Sequence, residues 1–160
     1  MIDTNGHAED RSGAVVRPPI VWLAAVGGGL LLDGAHPLPF LPGIGAGRLA
    51  GVAVFFAAVA LLIWAATTFR RAGTEVQTTR PTTAIVEAGP YRFTRNPIYV
   101  AMFLGLVGLA LAFDSFWLLI LLVPFYLVIR HGVVAREETY LERKFGEGYL
   151  AYKARVRRWL

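Results

Sequence analysis

The stretch GPYRFTRNPIYVA, residues 89–101, sets Tyr91, Arg92, Arg95, Tyr99 and an Asn96-Pro97 step directly against an apolar run. Further along, the acidic pair Glu137 and Glu138 opens a basic and aromatic tail that contains Tyr149, Tyr152 and Arg155. Pro97 suits the first position of a helix, where its missing amide hydrogen would have no partner anyway, and Asn96 then falls at the N-cap. An arginine beside such a helix start, with its free amide hydrogens and positive dipole end, favours a carboxylate or phosphate. The two glutamates project about a hundred degrees apart around a helix, so one can face the loop while its neighbour faces sideways. Arginine, glutamate and tyrosine together match a ligand bearing a carboxylate, an ammonium and a flat ring. Each feature also has a plain structural use. Arg and Tyr anchor membrane interfaces, Asn-Pro starts helices, and Glu and Arg three or four apart stabilise a helix by themselves.

The elements that must carry these groups are apolar. Of 160 residues 56% are hydrophobic and only 17% are charged, and the mean hydropathy is +0.52, which places the chain in a bilayer. With no cysteine there is no disulfide framework, thiolate metal site or cysteine nucleophile, and His7, His36 and His131 are scattered, so no metal is expected. The formal charge of +5 sits between apolar segments rather than on one polar domain, which suits anionic lipid and not nucleic acid.

The pattern predicts an all-α integral membrane bundle of about four spanning helices, at 19–32, 49–69, 97–113 and 115–130. Residues 1–18 are polar and are expected to form a disordered tail. The last two spans, separated only by Asp114 and Ser115, form a tight helical hairpin, with Pro124 inside the second. Loop 70–96 holds Arg70, Arg71, Arg80, Arg92 and Arg95, and residues 131–160 hold most of the remaining basic residues. Because loops rich in Lys and Arg stay in the cytoplasm, both termini are expected there, most simply in the plasma (inner) membrane. The tail 131–160 is expected to be a helical interfacial segment, interrupted at Gly146 and Gly148 and folded back over the Arg95 loop. Gly47 and Gly51 have a close-packing spacing near a helix end, which leaves oligomeric state open.

GPYRFTRNPIYVA, a hairpin, then REETYLERKFGEGYLAYKARV resembles the isoprenylcysteine carboxyl methyltransferase and phospholipid methyltransferase superfamily over roughly residues 86–158. The usual family pattern is an Arg-His-Pro-x-Tyr loop, a membrane hairpin, a Glu-Glu pair and a Phe-Gly-x-x-Tyr-x-x-Tyr tail. The resemblance implies S-adenosylmethionine, a zwitterion with an adenine ring, bound between the hairpin's cytoplasmic end and the folded-back tail without a dinucleotide-binding domain. Carried over by motif, the cofactor-binding residues are Tyr91, Arg95, Asn96, Pro97, Tyr99, Glu138, Tyr149 and Tyr152, and Arg95, Glu137 and Arg155 are the catalytic ones. Asn96 stands where many members have histidine, which removes any role for a titratable imidazole. Ala101 replaces a frequent glycine.

The implied reaction moves a methyl group to a lipophilic acceptor, an isoprenylcysteine-type carboxylate, a thiol or a lipid amine. Two other classes compete. Membrane sterol and steroid reductases share a similar loop and bind NADPH, but Ile98 stands where they have asparagine. A non-catalytic membrane scaffold would bind neither cofactor.

Overall fold

The computed structural model describes residues 16–73 and 84–160. Nearly all of the tail expected to be disordered lies outside them, as does the part of the basic loop that contains Arg80. Among the described residues every regular element is helical.

Helix α1 spans Pro18–Ala35 and α2 spans Ile44–Arg71. A 3-10 turn at Gly89–Arg92 precedes α3, Pro97–Phe113, and α4 follows at Phe116–Ile129. Both α1 and α2 outrun the apolar runs that predicted them, because flanking polar and small residues continue a helix once it is started. Helix α3 coincides with its predicted limits. Its 17 residues reach about 26 Å, a little short of a hydrocarbon layer of about 30 Å. Three helices are long and apolar enough to cross a membrane, and α3 is a shorter apolar one. Large apolar side chains such as Leu31, Leu49, Phe56, Ile63 and Val123 are exposed on the outside of this assembly, where lipid would cover them.

The helices neighbour one another in the order α1, α4, α3, α2. Helix α2 meets α3 through glycines: a side chain at Gly51 would strike the α3 backbone, and one at Gly108 would lie 2.6 Å from the Phe55 amide nitrogen. The close-packing glycine is thus used within the chain, bringing two backbones together as small residues do in membranes. On the other side of α3, Leu106, Ala110, Leu118, Phe125 and Ile129 form the core with Tyr99, Val133 and Val134.

The hairpin tip is pinned from below. Asp114 adopts the left-handed conformation, φ 56°, which aspartate tolerates better than most residues. Its carboxylate accepts hydrogen bonds from the amides of Phe40 and Leu41, each 2.9 Å. The Phe116 amide donates to Leu38 O at 3.0 Å and the Trp117 indole to His36 O at 2.8 Å. The proline-rich connection between α1 and α2, which lacks several amide donors of its own, is thereby tied across the tip.

At the opposite end, α4 does not stop at residue 130. A π-helical turn, Arg130–Val134, carries it into α5, Ala135–Phe145. Such a turn holds an extra residue and rotates the helix beyond it. Val133 and Val134 stay fully buried, and the acidic pair comes after them. Gly146, at φ 52° and ψ −126°, takes a conformation open only to glycine and breaks the chain into α6, Glu147–Arg155.

Candidate functional site

The polar residues of the opening motif gather where α3 begins, beneath α5 and the segment that follows α6. Pro97 starts α3 as predicted, and Asn96 occupies the N-cap position. Its side chain does not cap the helix, however. The Asn96 carboxamide donates to Arg158 O at 2.9 Å, while the Thr94 hydroxyl accepts from the Asn96 amide at 3.1 Å and donates to Arg158 O at 3.1 Å. A tertiary partner from 62 residues away orients the carboxamide through its Nδ2, and no side-chain cap forms.

Arg95 is the centre of the cluster, with a side chain only 8% exposed. One terminal nitrogen donates to Glu138 Oε1 at 2.8 Å. The other donates to two main-chain carbonyls of the tail, Lys153 O at 3.0 Å and Val156 O at 2.7 Å, and the Arg95 amide reaches Arg157 O at 2.9 Å. Its Nε is buried without a partner, an unusual state for an interior guanidinium.

Glu138 is clasped from two sides. Besides Arg95 it accepts from Arg158 Nε at 3.1 Å and Nη2 at 2.6 Å, the two-pronged geometry that arginine gives a carboxylate. Burial raises the Glu138 carboxyl, but the hydrogen bonds from Arg158 and Arg95 and their charges outweigh it, so its pKa is lowered. Arg158 was not legible as a site residue, since in the sequence it is one of several tail arginines. What places it is Trp159 beside it, whose ring packs edge-on against Phe103 at 5.6 Å and lies 5.8 Å from Tyr126.

Glu137, the other member of the pair, meets no cation among the described residues. It accepts a hydrogen bond from the Tyr99 hydroxyl, 3.0 Å away, and burial pushes its carboxyl up to about 7.

The aromatic residues close the cluster. Tyr91, Tyr149 and Tyr152 are all buried. The Tyr152 hydroxyl donates to Tyr91 O at 2.8 Å, the Tyr149 and Tyr152 rings lie 6.1 Å apart, and Tyr91 packs on Phe69 of α2 at 5.2 Å. Burial raises the phenol of each of the three, which keeps them neutral. Of the residues singled out in the sequence, Tyr91, Arg95, Asn96, Pro97, Tyr99, Glu137, Glu138, Tyr149 and Tyr152 converge here. Arg155 does not: its side chain is 64% exposed and pairs with Glu87 at 2.9 Å, because helix α6 turns that position outward.

The residues present fit an adenosyl zwitterion. Opposite charges lie side by side, flat rings are adjacent, and Arg95 Nε is a buried donor that a carboxylate would satisfy. The tail carbonyls already hold much of Arg95, so a ligand there must share it with the tail.

Comparison with known proteins identifies the family of the chain. Residues 47–148 match the phospholipid methyltransferase family. An "Uncharacterized protein" of Haemophilus influenzae is 46% identical over 65 residues, which are 37% of this chain and 100% of that relative. The nickel-cobalt-cadmium resistance protein NccN of Alcaligenes xylosoxydans xylosoxydans is 35% identical over 68 residues, 42% of this chain and 32% of its own length. No solved structure matches. The matched segment covers most of α2 and the whole hairpin and ends at the start of α6, and the chain belongs to the phospholipid methyltransferase family, within the isoprenylcysteine carboxyl methyltransferase-like superfamily.

Proposed function

We propose that the chain is a membrane methyltransferase that uses S-adenosylmethionine and modifies a lipophilic acceptor, an isoprenylcysteine-type carboxylate, a thiol or a lipid amine. The observation that carries this reading is the mixed-charge cluster at the start of α3, buried Arg95 and Glu138 with partly exposed Arg158, in which Arg95 keeps an unpartnered donor. Arg95 would hold the cofactor's carboxylate and Glu138 its ammonium. The rings of Tyr91, Tyr149 and Tyr152 would flank the adenine, and Asn96 and Pro97 shape the loop beneath.

When bound, the sulfonium supplies an already activated methyl group. The protein's own task is therefore to orient the acceptor and exclude water. The apolar helices around the cluster let a lipid tail remain in the bilayer while its head reaches the charged end. On the charge bias of the loops, that end and both termini face the cytoplasm, and the inner membrane is the expected location.

Titration of purified protein in detergent with S-adenosylhomocysteine and, separately, with NADPH tests the cofactor. Binding of the first at micromolar concentration and not the second is expected; the reverse would overturn the reading. Radiolabelled methyl transfer into total lipid and small-molecule extracts identifies the acceptor.

A further inference from the structure

The cofactor reading gives Arg95 and Glu138 a task and leaves Glu137, marked as catalytic by the motif, without a defined step. Adjacent in sequence, the two carboxylates meet different surroundings. Glu138 is held by two guanidinium groups. Glu137 faces Tyr99 from α3, Tyr91 from the preceding turn and its neighbour Glu138, none of them cationic. Tyr99 is 6% exposed and sits in the first turn of α3, two positions beyond Pro97. Its hydroxyl fixes Glu137 Oε1 at 3.0 Å, while Oε2 receives no hydrogen bond from any described residue and the side chain is only partly buried. A carboxylate fixed by one oxygen, with the other open and no cation nearby, is placed to take a proton.

We propose that Glu137 is the proton acceptor of the reaction, held by Tyr99 as its positioning residue, and that the methyl acceptor therefore carries a proton on its reacting atom, as an amine or thiol head does. The inference rests on the reading of the cluster as an S-adenosylmethionine site. The acceptor's lone pair forms the new bond to the methyl carbon, the electron pair of the broken sulfur-carbon bond stays on the donor sulfur, and the acceptor's proton goes to Glu137. An acceptor that is already a carboxylate releases no proton and would leave Glu137 idle. The raised carboxyl of Glu137, at about 7, suits a base that works near neutrality.

The test uses the full chain in detergent, wild type, E137Q and Y99F, with dioleoyl phosphatidylethanolamine, hexadecanethiol and N-acetyl-S-farnesylcysteine as probes. Calorimetry with S-adenosylhomocysteine comes first. No binding by the wild type overturns the cofactor reading and this inference with it. With binding intact, E137Q is expected to keep its affinity within about twofold while losing on the order of 100-fold in turnover on the amine or the thiol. Wild-type turnover should rise with pH through neutrality. Y99F, which removes a hydrogen bond that lowers the Glu137 carboxyl, should move that rise to higher pH. Difference infrared spectroscopy between acid and alkaline buffer supplies a readout independent of turnover: a carboxylic acid band that titrates near neutrality in wild type and is missing in E137Q. Methylation of the farnesylcysteine probe alone, an unchanged pH profile in E137Q, or an infrared band that survives E137Q overturns the inference while leaving the cofactor site standing.

Discussion

At Glu138 the charges of Arg95 and Arg158 prevail over burial, and the carboxyl's pKa falls below its ordinary value. A group lowered in this way stabilises the fold at and above the ordinary carboxylate range, and that contribution is lost as pH falls through the folded value. Glu137 has the opposite sign. Raised from 4.5 to about 7, it favours the fold while protonated, and its contribution disappears as pH rises from the lower figure through the higher one. We therefore expect the stability of E137Q relative to wild type to increase between mildly acidic and mildly alkaline buffer, as measured by thermal unfolding in detergent. E138Q should instead lose stability above the carboxylate range. It should also weaken S-adenosylhomocysteine binding by about tenfold or more, the equivalent of at least 1.4 kcal/mol. Truncating Arg95 to Ala leaves Glu138 with only Arg158 and frees two tail carbonyls, so a loss on the order of 3 kcal/mol is expected. Equal affinity and equal melting in E138Q would remove Glu138 from the site.

The element that decides whether these residues meet is the tail. Helix α6 and the residues just after it lay a row of main-chain carbonyls across Thr94, Arg95 and Asn96, and Trp159 clips the end into Phe103 and Tyr126. Replacing Trp159 with Ala should make the tail more susceptible to limited proteolysis, while S-adenosylhomocysteine should restore protection. Protection that is the same with and without ligand in this variant would mean that the tail closes independently of the site. The crossing of α2 and α3 is the other element-scale dependence. Gly108→Leu drives a side chain into the Phe55 backbone and is expected to destabilise by roughly 1–3 kcal/mol, read as a lower melting temperature. Asp114→Ala should loosen the hairpin tip and not the charged cluster, since the two lie at opposite ends of α3.

For the whole molecule, the helical row has a charged end, where Arg95, Glu137, Glu138 and the tail meet, and a tip end, where Asp114 holds the α1–α2 connection. The chain has no cysteine, so single cysteines report sidedness cleanly. Cysteines placed at Gly34 and at Glu147 are expected to react with impermeant reagent from opposite sides of the membrane, Glu147 from the cytoplasm. Labelling of both from one side would overturn the four-span orientation. An acceptor with a membrane-buried tail fits the proposed site because the charged cluster lies at the start of α3, where the apolar wall gives way to charge.

Hydropathy made the helices legible, since a spanning segment has to bury nearly every residue in lipid and cannot disguise its composition. Local rules also placed Pro97 at a helix start, set Asp114 and Ser115 at the hairpin turn and made Gly146 a break. The motif order drew attention to Arg95, Tyr99, Glu137 and Glu138. Other features depended on groups far apart in the chain. No local signal separates Arg158, which grips Glu138, from Arg155, which points to Glu87, because their directions are set by how α6 docks. The Asn96 side chain is oriented by a tail carbonyl and forms no cap for the same reason. The different surroundings of two consecutive glutamates came from a π-helical turn and the buried face behind it, which only packing against α3 could choose.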